Sequence, residues 1–444
     1  MRFTPIILAQ LVEPLDRRRF EAIVERHDAD AYDKTFDCWK HLMALIHAQL
    51  TGAASLRALE TSWNAHANAH YHLGCGEIAR STLADANARR PVEAFAEVLS
   101  MVAALTDRST RAEAKNLLRL IDSTPIPLGR VFDWAKSNGR LRGMKAHVVY
   151  DLGRDLPHIL DITDANVNDA QIGRQIEIEP GLTYVFDKGY CHYGWWSAIH
   201  AAEAFFVTRP KSNMGLTVKA ERQYGPARGD GFTVIGDQEV AFSSKGDSRL
   251  PISLRRIEIL RDEDAKKITV ITNDMQRSAV EIAQAYKFRW QIELLFRWLK
   301  QHLKMRRFLG TTPNAVKLQI YAAIITYILL RLAAKAARTK FDILRFSELV
   351  AVFLFDRRRL AAIDEPPPTN PSRKRDRPNP NQLNFYYAQN FPGQPCRLRE
   401  KVAAKRPDEG KRARHHGSPH LAAIVASTLS CAVRMSRLLK RRTE

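Results

Sequence analysis

Two aspartates each close a short apolar run. Asp122 follows Asn116-Leu117-Leu118-Arg119-Leu120-Ile121, and Asp187 follows Thr183-Tyr184-Val185-Phe186. A carboxylate at a strand end faces a cleft instead of the core. Two on neighbouring strands can share a divalent metal, because Mg²⁺ takes one or two carboxylates together with phosphate oxygens. One such acid is common, so this pair alone says little. A third carboxylate comes from a helical stretch predicted from about Ala279 to Lys304. At about 100° per residue, Phe288, Ile292, Leu295 and Leu299 form a core-facing stripe. Tyr286, Arg289, Glu293 and Lys300 form the stripe beside it. Two readings fit that second stripe. It is a solvated flank in which Arg289 and Glu293 make an i,i+4 pair worth a few tenths of a kcal/mol. Or it is a phosphate track around a third metal-binding carboxylate. The spacing alone does not choose.

The elements that must position these residues change character along the chain. Residues 1–110 read as helical, with Phe36, Trp39, Leu42, Ile46 and Leu50 at spacings of three and four. Leu73-Gly74-Cys75-Gly76 breaks the pattern, and Ser81 is the expected N-cap of a helix through Ala88. With Arg80, Arg89 and Arg90 this could be a helix-turn-helix-like DNA reader, although a plain helical bundle fits the spacing better. His66, His70 and His72 lack a cysteine or carboxylate cluster and read as ordinary histidines. After Lys115 strands appear, at Lys145–Tyr150, Ile159–Ile162, Thr183–Phe186 and Phe205–Thr208, with helices between the later ones. This suggests a mixed sheet of α/β type. Residues 210–275 read as all-β, with strands at Phe232–Ile235, Glu239–Phe242, Ile252–Ile259 and Ile268–Thr272. Ser278 and Glu281 then match a capping box. Trp195, Trp196 and His192 fit packing better than a site, and Lys188 fits DNA or solvent equally.

The charge points to the partner. The 444 residues carry 69 Lys and Arg against 48 Asp and Glu, a net +21. Such an excess attracts a polyanion, most commonly nucleic acid. Residues 366–444 hold 17 basic and 5 acidic residues. They are rich in Pro, Arg and Lys until about Pro419, and disorder is expected there. A hydrophobic content of 45% excludes a wholly disordered or fibrous chain. Five scattered cysteines, with no C-x-x-C pair, argue against a disulfide framework or structural zinc. No secretory signal is read at the start. The apolar run Leu318–Leu330 is too short to span a bilayer, which takes about 20 residues. A cytoplasmic, nucleoid-associated protein with no membrane partner is expected.

The spacing Tyr286-x-x-Arg289-x-x-x-Glu293-x-x-x-x-x-x-Lys300 resembles the Tyr-Arg-Glu-Lys motif of bacterial insertion-sequence transposases of the IS-four family. Leu120-Ile121-Asp122-Ser123-Thr124 resembles that family's first-acid segment, and Val185-Phe186-Asp187-Lys188-Gly189-Tyr190 its second. Thr272-Asn273-Asp274 resembles the segment before the last helix. Phe36–Asn87 is similar to the family's N-terminal domain and Asn314–Leu330 to the helix after the catalytic one. The likeness covers roughly residues 1–385.

The resemblance implies an α/β, RNase H-like catalytic core with an all-β insertion, preceded by an all-helical N-terminal domain. The expected division is a DNA-end-recognition domain at 1–110, a first catalytic part at 111–209, the β insertion at 210–275, a second catalytic part with C-terminal helices at 276–365, and the basic tail at 366–444. It implies a catalytic, metal-holding triad of Asp122, Asp187 and Glu293 with two Mg²⁺ ions, Mn²⁺ serving as a substitute. Tyr286, Arg289 and Lys300 match residues that grip backbone phosphates. Trp290 matches a position that stacks on a displaced base, a role that simple packing rivals and that Trp298 could also fill. The implied partners are double-stranded DNA, as element ends and as target, and a second copy of the chain on DNA. The implied function is cut-and-paste transposition at terminal inverted repeats. The alternative is an inactive or co-opted DNA-binding protein.

Overall fold

The computed structural model describes residues 4–31, 35–105, 117–153, 156–222, 227–242, 252–302 and 308–365. Everything expected of the tail at 366–444 lies outside the described residues.

Six helices open the chain: α1 (Ile7–Val12), α2 (Arg17–Arg26), α3 (Cys38–Thr51), α4 (Leu56–Asn64), α5 (Arg80–Arg89) and α6 (Val92–Ala104). Side chains cap three of them. Asp16, Asp37 and Ser55 accept from the backbone N–H of Arg19, Lys40 and Ala58, which satisfies donors the helix start leaves free. Gly52 ends α3 at φ +67°, where a residue without Cβ is not strained. Ser81 is not a cap: α5 begins one residue earlier, after Ala79, with no side-chain cap. Arg90 is not a DNA contact of a reading helix. It is 2% exposed, donates to the carbonyls of Phe36 and Asp37, and lies 3.5 Å from Asp30. The chain entering α3 presents carbonyls inward, and the guanidinium satisfies them.

A ten-stranded sheet follows. Its strands are β1 (Leu118–Pro127), β2 (Gly143–Asp151), β3 (Leu156–Asp164), β4 (Thr183–Phe186), β5 (Phe205–Thr208), β6 (Leu216–Glu221), β7 (Arg228–Gly229), β8 (Phe232–Phe242), β9 (Leu254–Arg261) and β10 (Lys267–Thr272). The order is β3-β2-β1-β4-β5-β10-β9-β8-β6, with β7 on β8. β1, β2 and β3 are antiparallel neighbours, while β4 runs parallel to β1 and β5 parallel to β4. Short helices α7 (Asp169–Gly173) and α8 (Tyr193–Ala201) supply the crossovers that parallel pairs need. The strands of 210–275 extend this same sheet through β10, which pairs with β5. Phe232–Ile235 and Glu239–Phe242 are one strand, β8, with a register shift between Val234 and Gly236.

Alternation along the strands sorts two cores. Leu120, Val148, Val185, Val207 and Val270 face the larger one, shared with α3, α6, α9 (Ala279–Phe288) and α11 (Pro313–Ala337). Ile121, Val149, Tyr184, Phe186 and Phe206 face the smaller one, with Trp195, Trp196 and Ile199 of α8. α11 extends the predicted apolar run to 25 residues, long and apolar enough by composition to cross a membrane. Its Leu318, Ile320, Ile324, Ile325, Ile328 and Leu329 are at most 1% exposed within this fold, so it is a core helix. It is followed by α12 (Ile343–Val352).

Candidate active site

Asp122 is not at the end of its strand. β1 runs on to Pro127 because β2 pairs with it along its whole length, from Arg119↔Asp151 to Pro127↔Gly143. The parallel partner is what stops: β4 pairs Leu120↔Val185 and Ile121↔Phe186 and then ends. The next residues are Asp122 and Asp187, so the register sets the two acids side by side. Alternation puts both on the face of Leu120 and Val185, toward α9.

The third acid arrives from a helix that breaks. The single helix expected from Ala279 is two, α9 and α10 (Trp290–His302), with Arg289 between them. The predicted capping box is present: Ser278 and Glu281 exchange hydrogen bonds at the start of α9. At the break the backbone tightens to i→i+3 bonds, Arg289 N to Tyr286 O at 3.0 Å and Ile292 N to Arg289 O at 3.2 Å. Neither Gly nor Pro marks it. The Arg289 guanidinium instead donates to Asp122 Oδ2 at 3.2 Å and to Glu293. The side chains of Asp122, Arg289 and Glu293 are 19%, 16% and 31% exposed. A solvated flank would expose them far more, so the Arg289–Glu293 pair is part of a half-buried cluster.

The electrostatics follow from this crowding. Burial pushes the Asp122 carboxyl up to about 6; Arg289 pulls it back, while Asp187 and Glu293 add to the rise. Burial opposes the Arg289 charge, but Tyr286, Asp122 and Glu293 outweigh it and raise its pKa. The Tyr286 phenol is buried and pushed up to about 12, with Arg289 opposing the shift. Its hydroxyl and Arg289 Nε, both buried, have no hydrogen-bond partner among the described residues. A buried polar atom in that condition is costly, and both atoms suit a phosphate oxygen. Arg209, just beyond β5, also acts on Tyr286; its place after an apolar strand gave no sign of this in the sequence.

The remaining expected residues divide. Lys300 is half-buried on α10. Trp290 is 50% exposed, with the Arg297 guanidinium 5.9 Å from its ring, so the core does not consume it. The side chain of Trp298 lies outside the described residues. Trp195 and Trp196 are buried, and His192 caps α8 through Trp195 N. Asn273 ties β10 to β5, accepting from Phe206 N at 2.8 Å, and Asp274 pairs locally with Arg277. A concavity of about 630 Å³ lined by Cys191, His192, Tyr193, Lys211 and Asn213 contains none of the acids.

Among the described residues no three carboxylate, imidazole or thiol groups stand close enough to hold an ion as the side chains lie. The donor set nonetheless fits a hard divalent cation. It is oxygen-only, carboxylate-rich, and already crowded enough to recruit a positive charge, which Arg289 supplies.

Two carboxylates on neighbouring strands, a third from a helix and a guanidinium between them make an acid cluster suited to metal-assisted work on phosphodiesters. Residues 113–329 match the family described as "Transposase DDE domain", and residues 4–76 match a domain of unknown function. A protein of Sinorhizobium fredii (strain NBRC 101917 / NGR234) named "Putative transposase y4zB" is 63% identical over 305 residues, 69% of this chain and 85% of that one. "Probable transposase for insertion sequence element IS5377" of Geobacillus stearothermophilus is 30% identical over 54% of this chain and 63% of its own. The chain belongs to the insertion-sequence DDE transposases, enzymes that cleave DNA and transfer its strands with the help of divalent metal ions, on an RNase H-like core.

Proposed function

We propose that this transposase cuts its element at the terminal inverted repeats and joins the freed ends to target DNA by a cut-and-paste route. Asp122, Asp187 and Glu293 are the residues that would hold two Mg²⁺ ions, with Mn²⁺ as a substitute. Bound there, such ions supply the charge that activates an attacking oxygen and stabilises a leaving one. The protein's own part is positioning and neutralisation, because in-line phosphoryl transfer needs those more than a protein nucleophile. Arg289 offers two parallel donors to a phosphate, Lys300 a point charge and Tyr286 a hydroxyl. Trp290, half exposed beside them, would stack on a base displaced at the cleaved end.

The helices of residues 1–110 would read the end sequence, and the basic tail would add sequence-independent attraction. Cutting two ends together asks for two protomers, so a homodimer on DNA is proposed. The site of action is the nucleoid in the cytoplasm.

The observation that carries this reading is the meeting of β1, β4 and the α9–α10 break, which brings Asp187, Glu293 and the Arg289 charge within electrostatic reach of Asp122. It also favours an enzyme over an inactive DNA-binding relic, which has no use for crowded carboxylates. Incubating the protein with a labelled duplex that carries the element's ends, with and without Mg²⁺, tests it. Cleavage at the repeat boundary only when metal is present is expected. Tight end binding without cleavage at any metal concentration would leave the relic as the answer.

A further inference from the structure

Behind the strand that carries Asp122 lies a second carboxylate cluster member that no role yet explains. Asp169 opens α7, on the opposite side of the sheet from α9. Its Oδ1 accepts from Ser123 Oγ at 3.1 Å and from Lys145 Nζ at 2.9 Å, and stands 3.8 Å from His147 Nδ1. Ser123 and His147 are direct partners across β1 and β2, and Lys145 lies two residues before His147 on the same face. His147, fully buried, reaches on to Tyr190 at 3.3 Å and to Thr163 at 2.9 Å. Lys145 also donates to the Val167 carbonyl at 2.6 Å.

The other oxygen of Asp169 faces the second-acid segment. A Cβ placed on Gly189 would lie 3.2 Å from Asp169 Oδ2, so the turn Lys188–Tyr190 passes close to this carboxylate with room for a glycine and little more. One side chain therefore bonds to the residue after Asp122 and lies close beside the residue two beyond Asp187. Both acids point to one face while their sequence neighbours are tied together on the other.

We propose that Asp169 is a positioning residue that sets the spacing of Asp122 and Asp187, and so the fit of the pair to a divalent ion. This rests on the reading that those two aspartates are metal ligands. The Ser123 and Gly189 contacts fix β1 and the 188–190 turn relative to each other. The Lys145 ammonium, 2.9 Å away, orients the Asp169 carboxylate. Partners that orient ligands in this way typically change metal affinity about 10–100-fold when lost.

The test is Mn²⁺ binding to the full-length, DNA-free protein, read by electron paramagnetic resonance, with the thermal midpoint followed alongside. Asp169→Asn keeps the shape but leaves Lys145 without its carboxylate. Gly189→Ala pushes the turn off Asp169 by a few tenths of an ångström while leaving every polar group in place. Both should weaken Mn²⁺ binding, the first by about tenfold. Gly189→Ala should keep a thermal midpoint close to that of the native chain, and Asp169→Asn should lower it modestly, because Lys145 loses its carboxylate. In cleavage assays excess Mn²⁺ should restore most of the rate. Native Mn²⁺ affinity in both variants would overturn the proposal. Asp122→Ala serves as the control on the underlying reading. If it too binds Mn²⁺ like the native chain, the ligand assignment has failed. If it alone loses the ion, only the role of Asp169 has failed.

Discussion

Arg289 holds the site together. Its guanidinium spans Asp122 and Glu293, and its Nε has no hydrogen-bond partner among the described residues. In sequence the same residue is half of an ordinary i,i+4 pair, and the spacing left a solvated flank as a fair reading. Its burial is the feature the spacing could not show, and part of it comes from β1, 167 residues away along the chain. Asp169, Ser123, Lys145 and His147 were missed for a related reason. They are common polar residues scattered over three segments, and only the register of β1 with β2 collects them. An alternating Lys145-x-His147 on the buried side of a strand was the available sign. Arg289→Ala and Lys300→Ala should each lower the salt dependence of end binding by about 0.9 in the slope of log K against log salt, one phosphate's worth. Cleavage should slow without vanishing, because the acids remain. Tyr286→Phe should be milder, since only one hydroxyl contact goes. Titrating end binding between low and moderate salt reads the slope, and native slopes with native rates would return both cations to the solvated flank.

At the scale of elements, strands β4 and β5 and the capping box of α9 were legible, because each depends on local pattern: β-branched and aromatic runs, and a Ser three residues before a Glu. Strand ends and the helix break were not legible. β1 outlasts its apolar run because β2 supplies partners, and the α9–α10 break answers side-chain bonds to a distant strand. Helix α3 carries a consequence of its burial. His41 and His47 are at most 1% exposed. Burial first, with Arg90 adding, lowers His41 to about 3, and burial with His66 and His70 lowers His47 to about 4. Both folded pKa values lie below the unfolded value of about 6.5. The neutral forms are therefore favoured by folding, stability is fully present above about pH 6.5, and it is lost as pH falls from there toward 4. These two groups alone contribute a slope that approaches about 2.7 kcal/mol per pH unit. Urea melts at pH 7, 6 and 5 should show an acid limb, and His41→Gln, which can still reach Asn87, should lower its slope by one group's share, about 1.4 kcal/mol per pH unit. An acid limb of equal steepness in that variant would place the effect elsewhere.

At the scale of the whole molecule, the segment boundaries visible in composition do not coincide with separable cores. The larger core joins α1, α2, α3 and α6 to β1, β2, α9 and α11. Helix α11 is the shared member, apolar on most of its surface, and the N-terminal helices cover it. The resemblance implies a DNA-end-recognition domain at 1–110, set apart from the catalytic part that follows. The packing predicts a different outcome. Deleting residues 1–105 would expose a contiguous apolar face on α11, larger than soluble monomers tolerate. The remainder should be insoluble or molten, which expression trials with near-ultraviolet circular dichroism would reveal. A folded, monomeric remainder would contradict the single shared core.

Asp122, Asp187 and Glu293 are proposed to act together on the scissile phosphodiester. The most direct test is single-turnover cleavage of an end duplex in Mg²⁺ by Asp122→Ala, Asp187→Ala and Glu293→Ala, measured beside end-binding affinity. Each variant should lose at least about a hundredfold in cleavage while binding the ends nearly as the native chain does, because the basic surface is untouched. Metal-dependent cleavage at the native rate in any one of the three would remove that residue from the site.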